Sequence, residues 1–227
     1  MIRAVIFDFD GVLADTERLH LLAFQQALAP IGLAMAEPEY SERFLGYSDR
    51  DLLDALARDR RVDMTAALAE RLLRDKADAF ASLLRSDDAL YPAAPDCIRG
   101  LSERFPLAIA SGSFREEIDF ILGRAGLLQH FCAVVGAGDV AAHKPSPDPY
   151  LEAARRLGIP PGECLAVEDS MWGLESARAA GCTTVAITHT YPAEALKADF
   201  VIAALGEIHD VARELNRREP DVSAFRH

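Results

Sequence analysis

The feature that most restricts the fold of this chain is a series of short apolar runs, each followed by an amphipathic segment. Six runs have this form, at residues 4–9, 107–110, 133–135, 165–167, 184–187 and 200–203. They are apolar almost throughout, as parallel strands covered on both faces are. Alternating strands and helices predict an α/β fold, a doubly wound (Rossmann-like) parallel sheet with right-handed crossovers.

Local signals predict where several helices begin and end. Ser113 and Glu116 have the spacing of a capping box, which predicts a helix start at Ser113. Ser146, followed by a proline, is a second predicted N-cap. Ser170 is a third, and Gly181 is the expected end of the helix that it starts.

One long segment interrupts the alternation. Between residues 15 and 84 the sequence has helical patterns and no convincing strand; Leu21, Phe24 and Leu28, for example, are spaced as i, i+3 and i+7. We therefore predict an inserted α-helical domain at residues 15–87. Residues 1–14 and 88–227 would form the α/β core.

Charge and composition narrow the function classes. The formal net charge of −12 argues against a nucleic-acid or anionic-membrane partner, and an anionic substrate would need a local cation. No apolar stretch approaches the roughly 18 residues of a membrane span, and the amino terminus lacks a signal-peptide layout. Four widely spaced cysteines without a CxxC pair argue against zinc and indicate reduced core residues. We expect a cytoplasmic monomer.

The first strand ends in two aspartates, Asp8 and Asp10, followed at once by Gly11. Side chains alternate along a strand, so both aspartates point the same way. Their like charges repel each other unless a cation or a shared proton lies between them. This arrangement marks the first candidate site.

Polar residues also follow the later strands. They are Ser111-Gly112-Ser113, Lys144-Pro145 and Glu168-Asp169-Ser170. Ligands of an open parallel sheet bind beyond the carboxyl ends of the strands, so we expect these residues to meet there. The oxygen-rich cluster suits Mg²⁺, and Ser111 with the amides of the following helix would hold phosphate oxygens. Of the two aspartates, one can attack phosphorus while the other protonates the leaving oxygen.

These residues resemble a known family. Asp8-Phe9-Asp10-Gly11-Val12, Ser111-Gly112-Ser113, Lys144-Pro145 and Glu168-Asp169-Ser170 are similar to the four motifs of the haloacid dehalogenase superfamily, in the same order. The likeness covers nearly the whole chain, and the helical insertion resembles the small cap of the β-phosphoglucomutase and phosphatase branch. It implies a cap that closes over the substrate.

The resemblance implies a role for each matching residue. Asp8 would be the nucleophile and a magnesium ligand, and Asp10 the general acid/base that also gives the metal its backbone carbonyl. Ser111 would bind the transferring phosphoryl group, and Lys144 would hold that group and Asp8 together. Asp169 would ligate magnesium. The acidic residue at position 10 argues for phosphate esters, since dehalogenases and phosphonatases of the family generally lack it.

Plainer interpretations exist for some of these positions. Ser111 alone is compatible with a turn, and an isolated lysine such as Lys144 with a surface position. Glu168 is either a metal ligand or a supporting residue that interacts with a helix dipole. We interpret Ser113 and Ser170 as helix caps only. Met171 and Trp172 are interpreted as packing residues.

The inserted domain should carry substrate specificity. Lys76 lies on an apolar helix stripe, where it either extends along the surface or meets a second anionic group of the substrate. Arg50, in the segment 46–51, is a further candidate for substrate contact. Thr16 and His20 match residues that position the acid/base group in relatives close to β-phosphoglucomutase, although His20 is also compatible with an ordinary helix face.

We expect a Mg²⁺-dependent phosphatase acting on a small phosphorylated metabolite, such as a sugar phosphate. The first alternative is a β-phosphoglucomutase-type mutase, which passes the phosphoryl group to a sugar hydroxyl. Such mutases carry an arginine directly after the serine of the cap loop, whereas here Asp49 follows Ser48 and the arginine is Arg50. A remote alternative is a non-catalytic metal- and phosphate-binding regulator, which usually lacks the nucleophile or the acid.

Overall fold

The computed structural model describes residues 1–44, 47, 49–86 and 88–218. They form two compact units. The first comprises Met1–Asp15 and the chain from Leu90 onward, and the second is Thr16–Ala89.

A parallel sheet forms the centre of the first unit. Its strands are β1 (Ala4–Phe7), β2 (Leu107–Phe114), β3 (Phe131–Ala137), β4 (Cys164–Glu168), β5 (Thr183–Ile187) and β6 (Phe200–Ile202). The strand order is β3-β2-β1-β4-β5-β6, and every pairing is parallel. All six predicted strands are confirmed. The strand order reverses between β1 and β4, and such a switch point is where doubly wound sheets bind ligands.

Nine α-helices are described. They are α1 (Thr16–Leu28), α2 (Glu37–Arg43), α3 (Asp49–Arg60), α4 (Ala66–Ser86), α5 (Ala94–Ser102), α6 (Arg115–Arg124), α7 (Asp148–Leu157), α8 (Met171–Ala180) and α9 (Ile208–Arg218). The last five belong to the first unit and alternate with strands over much of its length, as the crossovers of a parallel sheet require.

The core of the first unit explains why its strands read as continuous apolar runs. All four residues of β1 are fully buried, and β4 is buried along its whole length. Small side chains on one face of the sheet, among them Ala108 and Ala166, pack with Tyr150 and Ala154 of α7. Burial on both faces therefore explains the apolar runs, and the parallel pairing places the carboxyl ends of the strands, with the polar residues that follow them, at one edge.

Two of the three predicted helix starts are wrong. β2 extends to Phe114, so Ser113 lies in the strand, and α6 begins at Arg115 without a side-chain cap. The N-cap of α7 is Pro147 rather than Ser146. Ser170 does cap α8, since its hydroxyl accepts from the Gly173 amide at 3.1 Å.

Helices α1–α4 form the second unit around their own apolar core. Leu21, Phe24 and Leu28, the predicted stripe of α1, are all buried there, together with Leu72 of α4. The described residues of this unit contain only helical elements. The inserted segment thus buries its apolar stripes by packing helix on helix.

The cysteines are free, but they do not all lie in the core. Cys97, Cys164 and Cys182 are buried, whereas Cys132, the second residue of β3, is exposed. The expectation of four core cysteines is therefore wrong at one position. Among the described residues, no helix is long and apolar enough to cross a membrane.

Candidate active site

The carboxyl end of β1 continues into a tight turn that carries both aspartates. The Asp8 amide donates to the Val167 carbonyl of β4 at 2.9 Å, which extends the strand pairing by one residue. The turn then closes through the Gly11 amide, which donates to the Ala14 carbonyl at 2.8 Å. Gly11 has a φ of +74°, a backbone conformation that favours glycine. The sequence Asp-x-Asp-Gly thus ends the strand within four residues.

Lys144 lies between two carboxylates. Its Nζ is 2.8 Å from Oδ1 of Asp8 and 2.5 Å from Oε1 of Glu168. The lysine and Asp8 are largely buried, and Glu168 is fully buried. Removal of any one member would leave buried charge without its partner, so the three side chains hold one another in place.

Both carboxylate oxygens of Glu168 accept hydrogen bonds. Oε1 accepts from Lys144 and, at 2.7 Å, from the Tyr150 hydroxyl. Oε2 accepts from the amide of Asp169 and from the amide and hydroxyl of Ser170, at 3.1–3.4 Å. A Cβ at Gly173 would overlap this carboxylate, so the first turn of α8 needs glycine there. The saturated hydrogen bonding favours the supporting role for Glu168.

Two serines of β2 bond the same oxygen of Asp10. Oδ2 accepts from the Ser113 hydroxyl at 2.5 Å and from the Ser111 hydroxyl at 3.2 Å. The Ser111 hydroxyl in turn accepts from the Ser113 amide at 3.0 Å. Ser113, interpreted from sequence as a helix cap, therefore contacts the predicted acid/base residue. Gly112, between the two serines, is exposed.

Asp169 follows β4 directly and is buried next to the turn of β1. The Thr190 hydroxyl, from the loop after β5, donates a short hydrogen bond to Oδ2 of Asp169. Burial, together with the neighbouring charge of Glu168, raises the pKa of Asp169 to about 7. This carboxyl therefore gains a proton far more readily than an exposed aspartate.

The pKa values of Asp8 and Lys144, which form an ion pair, are both raised, but for different reasons. Burial raises the pKa of Asp8 well above its ordinary value, and the negative charge of Glu168 adds to that effect. Burial alone would lower the pKa of Lys144, but the carboxylates of Asp8 and Glu168 outweigh it and raise that pKa. Lys144 is thus a permanent cation in a site that contains more negative than positive groups.

The donor set of this edge suits a hard divalent cation. Asp8, Glu168 and Asp169 each offer a carboxylate oxygen, and these oxygens lie within 4.8 Å of one another. Carboxylate oxygens are the side-chain ligands that Mg²⁺ prefers. Since the Glu168 oxygens are already engaged by Lys144, Tyr150 and backbone amides, Asp8 and Asp169 fit a metal best.

In the second unit, two of the predicted residues, Lys76 and His20, lie in a cluster with Asp49. Lys76, with 5% of its side chain exposed, donates to both oxygens of Asp49 at 2.8–3.0 Å. Its Nζ also lies 2.8 Å from Nδ1 of His20, whose ring stacks on Phe80. Lys76 is therefore neither extended along the surface nor unpaired.

The structure also places the other predicted residues of this unit. Arg50 lies inside α3 rather than in a loop, and it pairs with Asp54 at 3.2 Å. Thr16 is buried at the first residue of α1. Gly46 and Ser48 lie outside the described residues.

Met171 and Trp172 do not pack in the core. Their side chains are largely exposed in the first turn of α8, immediately after Asp169 and Ser170. The expectation of packing is wrong because the buried face of this helix is formed by Gly173, Leu174 and Ala177 instead.

Sequence reasoning assigned no site contact to five residues that have one: Ser113, Tyr150, Ser170, His189 and Thr190. The two residues of the β5 loop had a usable signal. Only Thr188 separates them from the fifth apolar run, and the rule that drew attention to the ends of β1, β2 and β4 applies to β5 equally well. Tyr150 had none, because an aromatic residue on an apolar helix face indicates packing only.

Comparisons with known proteins identify the family of the chain. A family model described as haloacid dehalogenase-like hydrolase matches residues 2–181. Fructose-1-phosphate phosphatase YqaB of Escherichia coli is 32% identical over 181 residues, which cover 80% of this chain and 94% of that protein. Protein CbbY of Rhodobacter capsulatus is 32% identical over 231 residues, 97% of this chain and 99% of that one.

A solved structure extends the similarity to three dimensions. CbbY from Rhodobacter sphaeroides, crystallised in complex with phosphate, superposes with a TM-score of 0.76 at 28% sequence identity. The match covers 92% of this chain and 96% of that one. The similarity therefore spans both units in sequence.

Proposed function

The chain belongs to the haloacid dehalogenase-like hydrolase family, and from this premise we propose that it is a magnesium-dependent phosphatase of a small phosphorylated metabolite. The observation that carries the proposal is the set of contacts that the two aspartates after β1 make. Asp8 is ion-paired with Lys144 at 2.8 Å, and Asp10 is held by two serine hydroxyls. One carboxylate is thus oriented for attack and the other for proton transfer.

Asp8 is the proposed nucleophile. Its carboxylate oxygen attacks phosphorus, the bond from phosphorus to the ester oxygen breaks, and the phosphoryl group is left on Asp8 as an acyl phosphate. Lys144 keeps the carboxylate oriented through its 2.8 Å contact with Oδ1, and its charge offsets that of the phosphoryl oxygens. Glu168 anchors Lys144 from the other side.

Asp10 is the proposed acid and base. In the first step it gives its proton to the leaving oxygen, so that the alcohol departs neutral. In the second step the resulting carboxylate takes a proton from a water molecule whose oxygen attacks the acyl phosphate, which releases inorganic phosphate and restores Asp8. Ser111 and Ser113 orient Asp10 for both transfers; we retain a direct contact of Ser111 with the phosphoryl group as part of the proposal.

The proposed metal site consists of the carboxylates of Asp8 and Asp169 and the backbone carbonyl of Asp10, with Glu168 as a supporting residue. When bound there, Mg²⁺ would offset the charge of the phosphoryl oxygens and orient the group for in-line displacement. The chain's own residues supply the other functions. Lys144 is a fixed cation, Asp10 supplies the proton, and the buried residues around Glu168 hold the site rigidly in place.

Sugar phosphates are the proposed substrate class, because a fructose-1-phosphate phosphatase is among the similar proteins. Five further residues stay predicted substrate contacts: Gly112, Thr16, His20, Arg50 and Lys76. The pairing of Lys76 with Asp49 supports a role in which a substrate anion takes the place of the Asp49 carboxylate.

The test is a panel of phosphorylated metabolites assayed with and without Mg²⁺, in which released phosphate and isomerised sugar phosphate are both measured. We expect metal-dependent phosphate release that Asp8→Asn abolishes without loss of the fold. Asp96→Asn, an equivalent change at a residue exposed on α5, is the matched control and should retain activity.

Each alternative has its own signature in the same panel. Isomerisation without net phosphate release would identify a mutase. Magnesium binding without turnover of any ester would identify a regulator. Full activity of the Asp8→Asn variant would contradict the proposed mechanism itself.

A further inference from the structure

The loop that follows β5 reaches the centre of the site through two consecutive side chains. The Thr190 hydroxyl donates to Oδ2 of Asp169. Nδ1 of His189 lies 2.9 Å from the backbone carbonyl of Gly11, the residue after Asp10. A carbonyl only accepts, so Nδ1 of His189 carries the hydrogen of this bond.

Gly11, Asp169 and Thr190, which follow three different strands, lie close together there. A Cβ added at Gly11 would overlap the Asp169 carboxylate and would lie 2.8 Å from Oγ1 of Thr190. The turn after β1, Asp169 and the threonine are therefore in direct contact. Any side chain at position 11 would therefore displace the Asp169 carboxylate.

His189 is itself held on its other side. Its ring lies 4.1 Å, centroid to centroid, from the ring of Tyr91, at an interplanar angle of 33°. The Tyr91 amide donates to the Leu13 carbonyl at 3.0 Å, within the turn that closes β1. The loop after β5 is thus attached to the turn after β1 through His189, which contacts both Gly11 and Tyr91. Thr190 is the next residue along the chain.

We propose that Thr190 is a positioning residue that orients the Asp169 carboxylate for the cation, and that His189 anchors Thr190 through its bond to Gly11. This inference rests on the proposed metal site. A hydroxyl that engages Oδ2 fixes the rotation of a carboxylate whose other oxygen then faces a defined direction. Partners of this kind typically contribute 10- to 100-fold to metal affinity or activity.

The experiment is isothermal titration calorimetry of Mg²⁺ into the full-length protein without substrate, for the wild type and five variants. Thr190→Val keeps the shape of the side chain and removes the hydroxyl, and we expect it to weaken Mg²⁺ binding by roughly 10- to 100-fold. Thr190→Ser restores the hydroxyl and should bind nearly as well as the wild type. Thr183→Val, the same change at the start of β5, is the matched control and should bind normally.

The role of His189 is tested by comparing the losses of Mg²⁺ affinity in the single variants with the loss in the double variant. His189→Ala should weaken Mg²⁺ binding, and the double variant His189→Ala/Thr190→Val should bind no more weakly than Thr190→Val alone, because the histidine acts through the threonine. Additive losses would refute the anchoring role. If the valine variant fails to fold, Thr190→Cys replaces it, since a thiol has nearly the same size but donates weakly.

The outcomes separate this inference from the proposed function. Unchanged Mg²⁺ affinity in Thr190→Val, or an equal loss in Thr183→Val, overturns the positioning role even when the protein is a phosphatase. An inactive wild type that binds Mg²⁺ with the expected dependence on Thr190 overturns the phosphatase and leaves the positioning role intact.

Discussion

The hydroxyl of Ser113, in β2, donates a 2.5 Å hydrogen bond to Oδ2 of Asp10, in the turn after β1. The proposed acid/base residue therefore depends on a residue two positions beyond Ser111, the serine that the motif singles out. At 2.5 Å this hydrogen bond is shorter than the 3.2 Å bond from Ser111, so Ser113 should contribute more to the orientation of Asp10.

Ser113→Ala should therefore lower kcat by about tenfold with little change in KM, a loss of about 1.4 kcal/mol in transition-state stabilisation. The physical reason is that Asp10 loses the shorter of its two serine hydrogen bonds and keeps the longer one, from Ser111 at 3.2 Å. Steady-state kinetics with the best substrate of the panel provide the measurement. Ser113→Thr keeps the hydroxyl and serves as control; a wild-type rate in the alanine variant would remove Ser113 from the mechanism.

Lys144→Met should destabilise the fold by about 3–5 kcal/mol, because it leaves the buried carboxylates of Asp8 and Glu168 without their shared cation. Urea unfolding at neutral pH without added metal measures the change. Lys197→Met, at an exposed lysine, is the control and should shift stability by less than about 1 kcal/mol. Equal effects in the two variants would show that the ion pair adds nothing to stability.

Gly173→Ala should displace the Glu168 carboxylate, since the new Cβ would overlap it, and so weaken the support of Lys144. We expect a large loss of activity although alanine favours a helix. Gly123→Ala is the matched change in α6, where nothing lies within 4 Å of the added Cβ; it should be neutral or stabilise the protein by up to about 1 kcal/mol. Kinetics and thermal unfolding of both variants test the contrast, which would disappear if Glu168 had no supporting role.

Stability without metal should depend on pH through Asp169. Its pKa is about 7 when folded and near the ordinary 3.8 when unfolded, because burial and Glu168 raise it only in the folded protein. Between these values the folded state binds more protons, so the free energy of unfolding falls as pH rises from about 4 to above 7. The aspartate is thus least destabilising below the unfolded pKa and most destabilising at alkaline pH.

Asp169→Asn removes this titration, and a comparison with the wild type isolates it from other groups. With a chelator present, urea unfolding should show the variant gaining stability relative to the wild type as pH rises from 4 to 8. A pH-independent difference would argue against a raised pKa. Mg²⁺ binding by the wild type should weaken as pH falls below about 7, because the proton and the cation compete for the same carboxylate.

Much of the fold was predictable from the sequence for a local reason. Strands buried on both faces must be apolar throughout, so the six strands are visible as runs, and their order along the chain requires crossovers. The polar residues after β1, β2 and β4 were visible for the same reason, because they stand out directly after buried segments. The ends of helices were less predictable: the signal at Ser113 fits a cap equally well, until β2 is seen to continue to Phe114.

What the sequence by itself determined is the parallel α/β core, the helical insertion and the chemical character of one sheet edge, because each depends on local patterning. Only the tertiary structure decided which partner each polar group takes. It paired Ser113 with Asp10, Thr190 with Asp169 and Tyr150 with Glu168, over separations of 103, 21 and 18 residues. Contacts of that kind arise from strand order and packing, which bring distant segments together, and no local pattern encodes them.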